Sequence, residues 1–213
     1  MENSIQTLAI SAIPIIFAIT LHEAAHGYVA RHFGDPTAWQ EGRVSLNPLR
    51  HIDPLGTIAI PALTYMLSGF MFGWAKPVPV NFGKLRNPKR DMLWVAAAGP
   101  GANLVMAFMW ALVFKFALSM PDFGYAQAMM TMAQAGIQVN GMLMLLNLLP
   151  LPPLDGGRIA VSLLPGKVAW KFAQIERYGF VILLALLFSG ILNSILMPLL
   201  RIFMALIGTV FAL

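Results

Sequence analysis

Two histidines and a glutamate share a five-residue window, His22-Glu23-Ala24-Ala25-His26, near the end of a long apolar stretch. Positions i and i+4 of a helix lie on one face, so the imidazoles of His22 and His26 can bind one zinc ion. Glu23 then lies near the open coordination position, where its carboxylate can accept a proton from water. The alternative is that both histidines lie at a membrane interface while Glu23 faces water. Because ionisable groups are costly within a membrane helix, the pattern favours a metal site.

A catalytic zinc ion usually has three protein ligands, and this window supplies two of them. The chain has two further histidines, His32 and His51. His32 follows His26 by six residues and falls off its helical face, and His51 lies in a polar loop close to Asp53. Neither histidine has a ligand spacing relative to the window, so Asp155 is the other candidate for the third ligand.

Asp155 lies within a segment that interrupts the helical pattern of the chain. The interruption consists of prolines followed by glycines, namely Pro150, Pro152, Pro153, Gly156 and Gly157. Proline cannot continue a helix interior, and glycine permits a tight reversal. A carboxylate on such a break can reach a neighbouring helix, although Asp155 could instead cap the helix that follows it.

The composition is that of an integral membrane protein. Of the 213 residues, 58% are hydrophobic and 11% are charged, compared with about 45–50% and about 25% in soluble domains. We expect one membrane-embedded domain over residues 1–213. The net charge of +5 could indicate nucleic-acid binding, but the lysines and arginines lie in short segments between apolar runs, as in membrane proteins. We therefore predict no nucleic-acid partner. The absence of cysteine excludes disulfides, thiolate zinc sites and cysteine nucleophiles.

Apolar runs alternate with short polar breaks along the chain. The predicted helical segments are residues 5–31, 55–75, 92–119 and 126–149, followed by an apolar stretch at 178–213. That last stretch is either one tilted span with a surface helix or a hairpin of two short spans, since a full span needs about 20 residues. Residues 37–53 are the least hydrophobic, and their short alternation predicts a small β-hairpin or an irregular loop. The predicted fold class is an all-α polytopic membrane protein, a bundle of about 4–6 transmembrane helices with a re-entrant or irregular membrane-associated segment.

Glu23 and Asp155 must lie at similar depth if both serve one zinc ion, and this requirement constrains the topology. Three apolar runs separate them, so one run cannot be a simple crossing. Residues 55–75 are the best candidate for a re-entrant segment, because Pro61, Gly69 and Gly73 interrupt them. Most basic residues then lie on the same side as the active site, which the positive-inside rule makes cytoplasmic. The N-terminus is then outside, and a prokaryotic cell membrane is the expected location.

Three blocks of sequence, taken in order, resemble the site-2 protease family of intramembrane zinc metalloproteases. The blocks are His22-Glu23-x-x-His26, then Ala98-Gly99-Pro100-Gly101-Ala102-Asn103, then Asn147-x-x-Pro150-x-Pro152-x-x-Asp155-Gly156. With residues 47–57 and 73–81, the resemblance covers most of the first 160 residues. It is greatest to the compact bacterial members that lack a PDZ or CBS domain.

The resemblance implies an activity and a set of site residues. His22, His26 and Asp155 would bind one Zn²⁺ per chain, Glu23 would be the general base, and Asn147 and Asn103 would hold the substrate backbone. The substrates would be single-span membrane helices in the lipid bilayer, cut in or near their transmembrane segments, with no oligomeric state implied. Two other functions are compatible with the residues alone: a transporter with a bound metal, and a membrane scaffold that does not cut. A transporter calls for repeated or symmetric broken helices, which the sequence does not show, and an intact Glu23 argues against a scaffold.

Overall fold

The computed structural model describes residues 2–60, Met66 and 76–213, and this part of the chain is mostly helical. The helices are α1 (Glu2–His32), α2 (Thr37–Gln40), α3 (Pro88–Leu118), α4 (Ala126–Asn147), α5 (Asp155–Leu163), α6 (Gly166–Ala173), α7 (Glu176–Phe188) and α8 (Ile191–Phe211). Short 3-10 turns cover Pro48–Arg50 and Phe82–Lys84, and a π-helical turn covers Pro54–Ala59.

Three of the described helices are long and apolar enough to cross a membrane: Ile10–His32 within α1, Pro88–Leu118 and Ile191–Phe211. The chain is therefore an integral membrane protein. Helix α4 has 22 residues, enough for a span by length, but it contains several glutamine and asparagine side chains. The predicted total of about 4–6 spans is larger than the described residues supply, and it stays a prediction.

Helices α1, α3 and α4 pack against one another, and α8 lies against α4. An apolar cluster joins α3, α4 and α8, with the buried side chains Ala107, Ala111, Ile137, Met144, Leu200, Phe203 and Ile207. Small residues allow the close approach, as in many membrane helix pairs. A Cβ atom added to Gly141 would lie 2.6 Å from Cε1 of Phe203. This contact holds α8 against the helix that precedes the Asp155 segment.

The chain leaves α1 and returns to the same end of that helix before α3 begins. The backbone N–H of Arg86 donates to the carbonyl of Phe33 at 3.0 Å, and the N–H of Asn81 donates to Asp35 Oδ2 at 2.6 Å. Residues 33–35 and 81–86 therefore lie together at one end of α1, as the shared depth of Glu23 and Asp155 requires. The re-entrant course predicted for residues 55–75 falls largely on 61–65 and 67–75, which lie outside the described residues.

The β-hairpin predicted within residues 37–53 is wrong, since the described structure there contains helix, turns and no strand. Side chains rather than a strand ladder hold this loop together. The guanidinium of Arg43 donates to the carbonyls of Arg50, Lys76 and Pro77, and His51 Nε2 contacts the carbonyl of Ser45 at 2.9 Å. The buried Arg43 therefore ties this loop to the segment that contains Lys76 and Pro77.

The apolar stretch at 178–213 forms two helices, α7 and α8, which meet at Gly190 in the left-handed region at φ 77°. Helix α8 has 21 residues and α7 has 13, so only α8 has the length of a full span. Leu192 and Leu196 at the start of α8 pack against Leu183 of α7. The choice between one tilted span with a surface helix and a hairpin of two short spans stays a prediction.

Candidate metal centre

Helix α1 places the side chains of His22 and His26 one above the other on its buried face. The two residues are only 7% and 8% exposed, and their Nε2 atoms lie 3.1 Å apart. The i, i+4 spacing explains this contact, because side chains four residues apart stack along one face of a helix. The two imidazoles therefore lie close enough together to bind one metal ion, as the sequence predicts.

Asp155, which lies far from α1 in the sequence, contacts the same two imidazoles. Its Oδ2 atom lies 3.2 Å from His22 Nε2 and 3.4 Å from His26 Nε2. Asp155 is the first residue of α5, and no side-chain capping bond forms at the start of that helix. The capping alternative therefore does not describe its position. The broken segment after α4 delivers the carboxylate to α1 instead.

The three atoms have the spacing of ligands on one face of a tetrahedral zinc site. Their separations are 3.1, 3.2 and 3.4 Å, and a tetrahedral ion with bonds of about 2.0–2.1 Å would separate its ligand atoms by about 3.3 Å. Two nitrogens and one carboxylate oxygen are also a common donor set for catalytic zinc. Apart from the two imidazoles, Asp155 Oδ2 has no polar partner among the described residues. The residues present therefore fit a zinc ion.

An oxygen acceptor next to each Nδ1 atom indicates which ring nitrogen of His22 and His26 carries the proton. Nδ1 of His26 lies 2.7 Å from the carbonyl oxygen of Val95, and Nδ1 of His22 lies 2.6 Å from Oδ1 of Asn103. Because a carbonyl oxygen only accepts hydrogen bonds, each Nδ1 is assigned the proton. Each Nε2 then faces Asp155, on the side from which a metal ion would bind.

Gly99 on α3 leaves the space in front of the two Nε2 atoms open. A Cβ atom at this position would lie 2.5 Å from Cε1 of His22 and 2.6 Å from its Nε2, and it would lie closer still to His26 Nε2. Any side chain at residue 99 would therefore displace both imidazoles. Glycine is needed here for close approach to the site rather than for an unusual backbone angle.

Glu23 is half-buried and its carboxylate is held by backbone. Oε2 of Glu23 accepts a hydrogen bond from the N–H of Val78 at 2.8 Å. Val78 follows Lys76 and Pro77, whose carbonyls accept from the buried guanidinium of Arg43 at 2.6 Å and 3.2 Å. The extended segment 76–81 and Arg43 therefore fix the orientation of the candidate general base.

Two carboxylates outside the spanning helices have pKa values below their ordinary range. Burial opposes ionisation of Asp155, but the imidazoles of His22 and His26 outweigh it and lower the pKa of this carboxyl. Burial likewise opposes ionisation of Asp35. Hydrogen bonds from Thr37 and Asn81 outweigh burial there and lower the pKa of Asp35. Both groups are thus ionised at neutral pH.

The remaining predicted residues occupy different positions relative to this centre. Asn103 has no exposed surface and contacts His22, whereas Asn147 is half-buried at the end of α4 and donates to the carbonyl of Leu143 at 3.0 Å. The contact of Asn103 with His22 is observed, and contacts of either asparagine with substrate stay predictions. His51 lies in the Arg43 loop, and His32 is exposed at the end of α1.

Sequence reasoning assigned no role at the site to three residues that shape the centre: Gly99, Asn140 and Arg43. Gly99 lies between Ala98 and Pro100 in an apolar helix, and small residues in membrane helices often mark close approach of a neighbouring helix. Asn140 is a polar residue in the interior of an apolar helix, which is itself a signal of an interhelical hydrogen bond. The long-range role of Arg43 has no comparable signature in the sequence.

An apolar groove of about 700 Å³ lies beside the His22–His26 window, between α1 and α3. Small side chains line much of it, including Ala24 and Ala25 of α1 and Ala98 and Ala102 of α3. The end of α1 that carries His22 and His26 therefore borders an apolar surface on this side.

Comparison with known proteins gives one family. Residues 118–190 match the model described as peptidase family M50, a region that includes Asp155. The protein YwhC of Bacillus subtilis is 42% identical over 192 residues, which cover 89% of this chain and 84% of YwhC. Rip2 of Mycolicibacterium smegmatis is 32% identical over 181 residues, which cover 84% of this chain and 66% of Rip2. Both relatives are named as candidate zinc metalloproteases. No solved structure gives a significant match to the chain.

Proposed function

The chain belongs to peptidase family M50, the family of the site-2 proteases, and from this premise we propose that it is an intramembrane zinc metalloprotease. The observation that carries the proposal is the triangle of His22 Nε2, His26 Nε2 and Asp155 Oδ2, with sides of 3.1–3.4 Å. Glu23 immediately follows the first of these residues on α1. The reaction is hydrolysis of a peptide bond in or near a transmembrane segment.

His22, His26 and Asp155 would hold one zinc ion. When bound there, zinc supplies Lewis-acid polarisation of a carbonyl group and makes water a better nucleophile at neutral pH. The protein's own contribution begins with the ligand tautomers. The Val95 carbonyl and the Asn103 amide keep the protons on Nδ1, so that both Nε2 atoms are available as ligands.

Glu23 is the proposed general base. Its Oε2 atom is engaged by the Val78 N–H, so we assign proton transfer to Oε1. The carboxylate takes a proton from the attacking water and delivers it to the leaving amine. The hydrogen bond from Val78 preserves the direction of the carboxylate during both transfers, which is the advantage of a preorganised site.

The proposed substrates are single-span membrane proteins, consistent with a site at the end of a membrane helix. Asn147 is the proposed contact for the substrate backbone, since it is half-buried and its helix leads directly into the Asp155 segment. A substrate helix must unwind near the cleavage site, because its carbonyl groups are otherwise hydrogen-bonded within the helix.

We place the centre toward the cytoplasmic side of a prokaryotic cell membrane, with the N-terminus outside. Arg86 Nη2 donates to the carbonyl of His32 at 2.8 Å, and Lys89 Nζ donates to the carbonyl of Leu164 at 2.6 Å. These contacts bring basic residues together at the Asp155 end of the bundle, as the positive-inside rule expects of the cytoplasmic side. Lys115, near the other end of α3, is an exception to this pattern.

The orientation can be tested directly because the chain has no cysteine. Single-cysteine variants Lys167→Cys and Gly124→Cys report on opposite ends of the bundle. A membrane-impermeant maleimide should label Gly124→Cys in intact cells and Lys167→Cys only after permeabilisation. The reverse pattern would contradict the orientation without affecting the proposed chemistry.

Proteolysis is tested with purified protein in detergent and a single-span model substrate. The protein should cut the substrate, lose activity with a zinc chelator, and regain activity when zinc is added in excess. Cleavage that persists after complete removal of metal would contradict a zinc mechanism. A protein that binds zinc stoichiometrically but cuts none of several substrates would count against the protease and favour a scaffold.

A further inference from the structure

A row of buried side-chain amides leads from His22 across three helices. Oδ1 of Asn103 on α3 lies 2.6 Å from His22 Nδ1, and Nδ2 of Asn103 donates to Oδ1 of Asn140 on α4 at 3.0 Å. Nδ2 of Asn140 in turn donates to the carbonyl of Gly136 at 2.8 Å. Both asparagines are 0% exposed. The row therefore joins α1, α3 and α4 within the interior of the bundle.

The direction of every hydrogen bond in this row is determined by a backbone carbonyl. The carbonyl of Gly136 can only accept, so Asn140 must present its nitrogen to Gly136 and its oxygen to Asn103. The carbonyl of Ala18 also accepts from Nδ2 of Asn103, at 3.2 Å. Asn103 is thus held with its nitrogen toward two acceptors and its oxygen toward His22.

We propose that Asn140 is a positioning residue for the metal centre, acting through Asn103 on the tautomer and ring orientation of His22. The inference rests on the proposed role of His22 as a zinc ligand. Outer partners of metal-bound histidines fix which nitrogen carries the proton, and their loss typically weakens metal binding about 10–100-fold. Asn140 contacts Asn103 rather than His22. Because Oδ1 of Asn140 accepts from Nδ2 of Asn103, an Asn103 amide with its oxygen and nitrogen exchanged would be unfavourable.

The alternative is that Asn140 only stabilises helix packing, as interhelical asparagines do in many membrane proteins. The two roles differ in their dependence on Asn103. A positioning role disappears when Asn103 is absent, because nothing then transmits the effect to His22. A packing role acts on the whole bundle and persists without Asn103.

The test measures zinc affinity of purified, zinc-free protein by competition with a chelator of known affinity. The variants are Asn103→Ala, Asn140→Ala and the double variant, with Asn140→Asp as the conservative replacement. Burial favours the protonated carboxyl in Asn140→Asp, which retains an oxygen acceptor toward Asn103 and supplies an O–H donor toward the carbonyl of Gly136. Ile137→Ala is the matched control, since Ile137 is buried on the same helix, 3% exposed, and belongs to an apolar cluster.

We expect Asn103→Ala to weaken zinc binding about 10–100-fold and Asn140→Ala to weaken it less, by about threefold to tenfold. The double variant should match Asn103→Ala alone, Asn140→Asp should restore most of the loss, and Ile137→Ala should retain wild-type affinity despite a lower melting temperature. Wild-type affinity in Asn140→Ala would overturn the proposal. A double variant whose loss is the product of the single losses, or an equal loss in Ile137→Ala, would also overturn it in favour of packing.

The readout separates this inference from the proposed function. If the zinc affinities follow the expected pattern but no substrate is cut, the positioning role of Asn140 is supported and the proposed protease activity is contradicted. If substrate is cut while Asn140→Ala binds zinc normally, the proposed protease activity is supported and the positioning role of Asn140 is contradicted.

Discussion

The backbone N–H of Val78 donates a hydrogen bond to Oε2 of Glu23 at 2.8 Å, across 55 positions of sequence. The preceding carbonyls, of Lys76 and Pro77, accept from the buried guanidinium of Arg43. The orientation of the proposed general base thus depends on a residue that contacts neither the proposed metal ligands nor Glu23 itself. This arrangement links the polar loop after α1 to the chemistry on α1.

Replacing Arg43 by lysine should therefore impair catalysis while leaving zinc in place. Lysine cannot reproduce the planar set of donors that bonds three carbonyls, so segment 76–81 shifts and Glu23 loses its orientation. We expect kcat to fall about 10–100-fold, since small misplacements of reacting groups have effects of this size. The measurement is steady-state cleavage together with zinc content per chain.

Arg50→Lys is the matched control for that substitution. Arg50 lies in the same loop, is exposed, and donates through Nη1 to the carbonyl of Gly42 at 2.7 Å. This variant should retain nearly wild-type kcat. Equal activity of the two variants would contradict a role of Arg43 in positioning Glu23.

Replacing Gly99 by alanine should prevent zinc binding. The new Cβ atom would lie 2.6 Å from His22 Nε2, so the imidazoles must move out of ligand geometry. Gly101→Ala on the same helix is the control, because a Cβ atom there meets nothing within 4 Å. Metal analysis after purification should find zinc in Gly101→Ala and not in Gly99→Ala. A full zinc complement in Gly99→Ala would show that the metal lies elsewhere.

Replacing Asp155 by asparagine removes the only carboxylate of the proposed ligand set. We expect zinc affinity to fall by more than the roughly 10–100-fold that an outer partner typically costs. Asp91→Asn serves as the buried-carboxylate control, since Asp91 is 3% exposed and accepts from the Asn87 N–H at 2.7 Å. Chelator competition on both variants gives the comparison. Unchanged affinity in Asp155→Asn would remove Asp155 from the ligand set.

The sequence predicts those contacts of the centre that join residues close together in the chain, and it predicts contacts between distant residues less well. The pairing of His22 with His26 is set by local helix geometry, so the five-residue window was enough. The arrival of Asp155 at α1 was inferred from a helix break and from family resemblance. The contact of Asn103 with His22 depends on how α3 is rotated against α1, which spacing along one chain does not determine.

The prediction of a β-hairpin within residues 37–53 is wrong because the contacts of Arg43 also join residues distant in the sequence. The alternation around residues 43–46 is genuine, but Arg43 turns inward and bonds carbonyls of residues 50, 76 and 77. Two of these acceptors are more than 30 positions away. A local pattern cannot reveal that a side chain has distant backbone partners, so the alternation alone does not distinguish a hairpin from the irregular loop that the structure contains.

Acid should weaken the fold partly through Asp35. Because its folded-state pKa lies below the ordinary value of 3.8, ionised Asp35 stabilises the fold above that value, and the contribution is lost as pH falls through the folded-state pKa. Zinc-free protein should therefore melt at lower temperature as the pH falls from about 5 to about 3. Asp35→Asn should show a smaller decrease over this range.

The control for the acid experiment is Asp122→Asn, at an exposed position between α3 and α4. Its melting temperature should follow wild type over the same pH range. Zinc-free samples are needed because acid also releases metal by protonating ligands. Identical pH dependence in Asp35→Asn and wild type would contradict the role of Asp35.

The central claim is that Glu23 moves protons at a zinc site held by His22, His26 and Asp155, and the most direct test is the Glu23→Gln variant. Glutamine retains the size of the side chain and an acceptor for the Val78 N–H, but it cannot accept a proton from water. Cleavage of a single-span substrate and zinc per chain are measured on the same preparation. The account predicts one zinc per chain and cleavage reduced by about 10²–10⁴-fold. Wild-type cleavage by Glu23→Gln would contradict it.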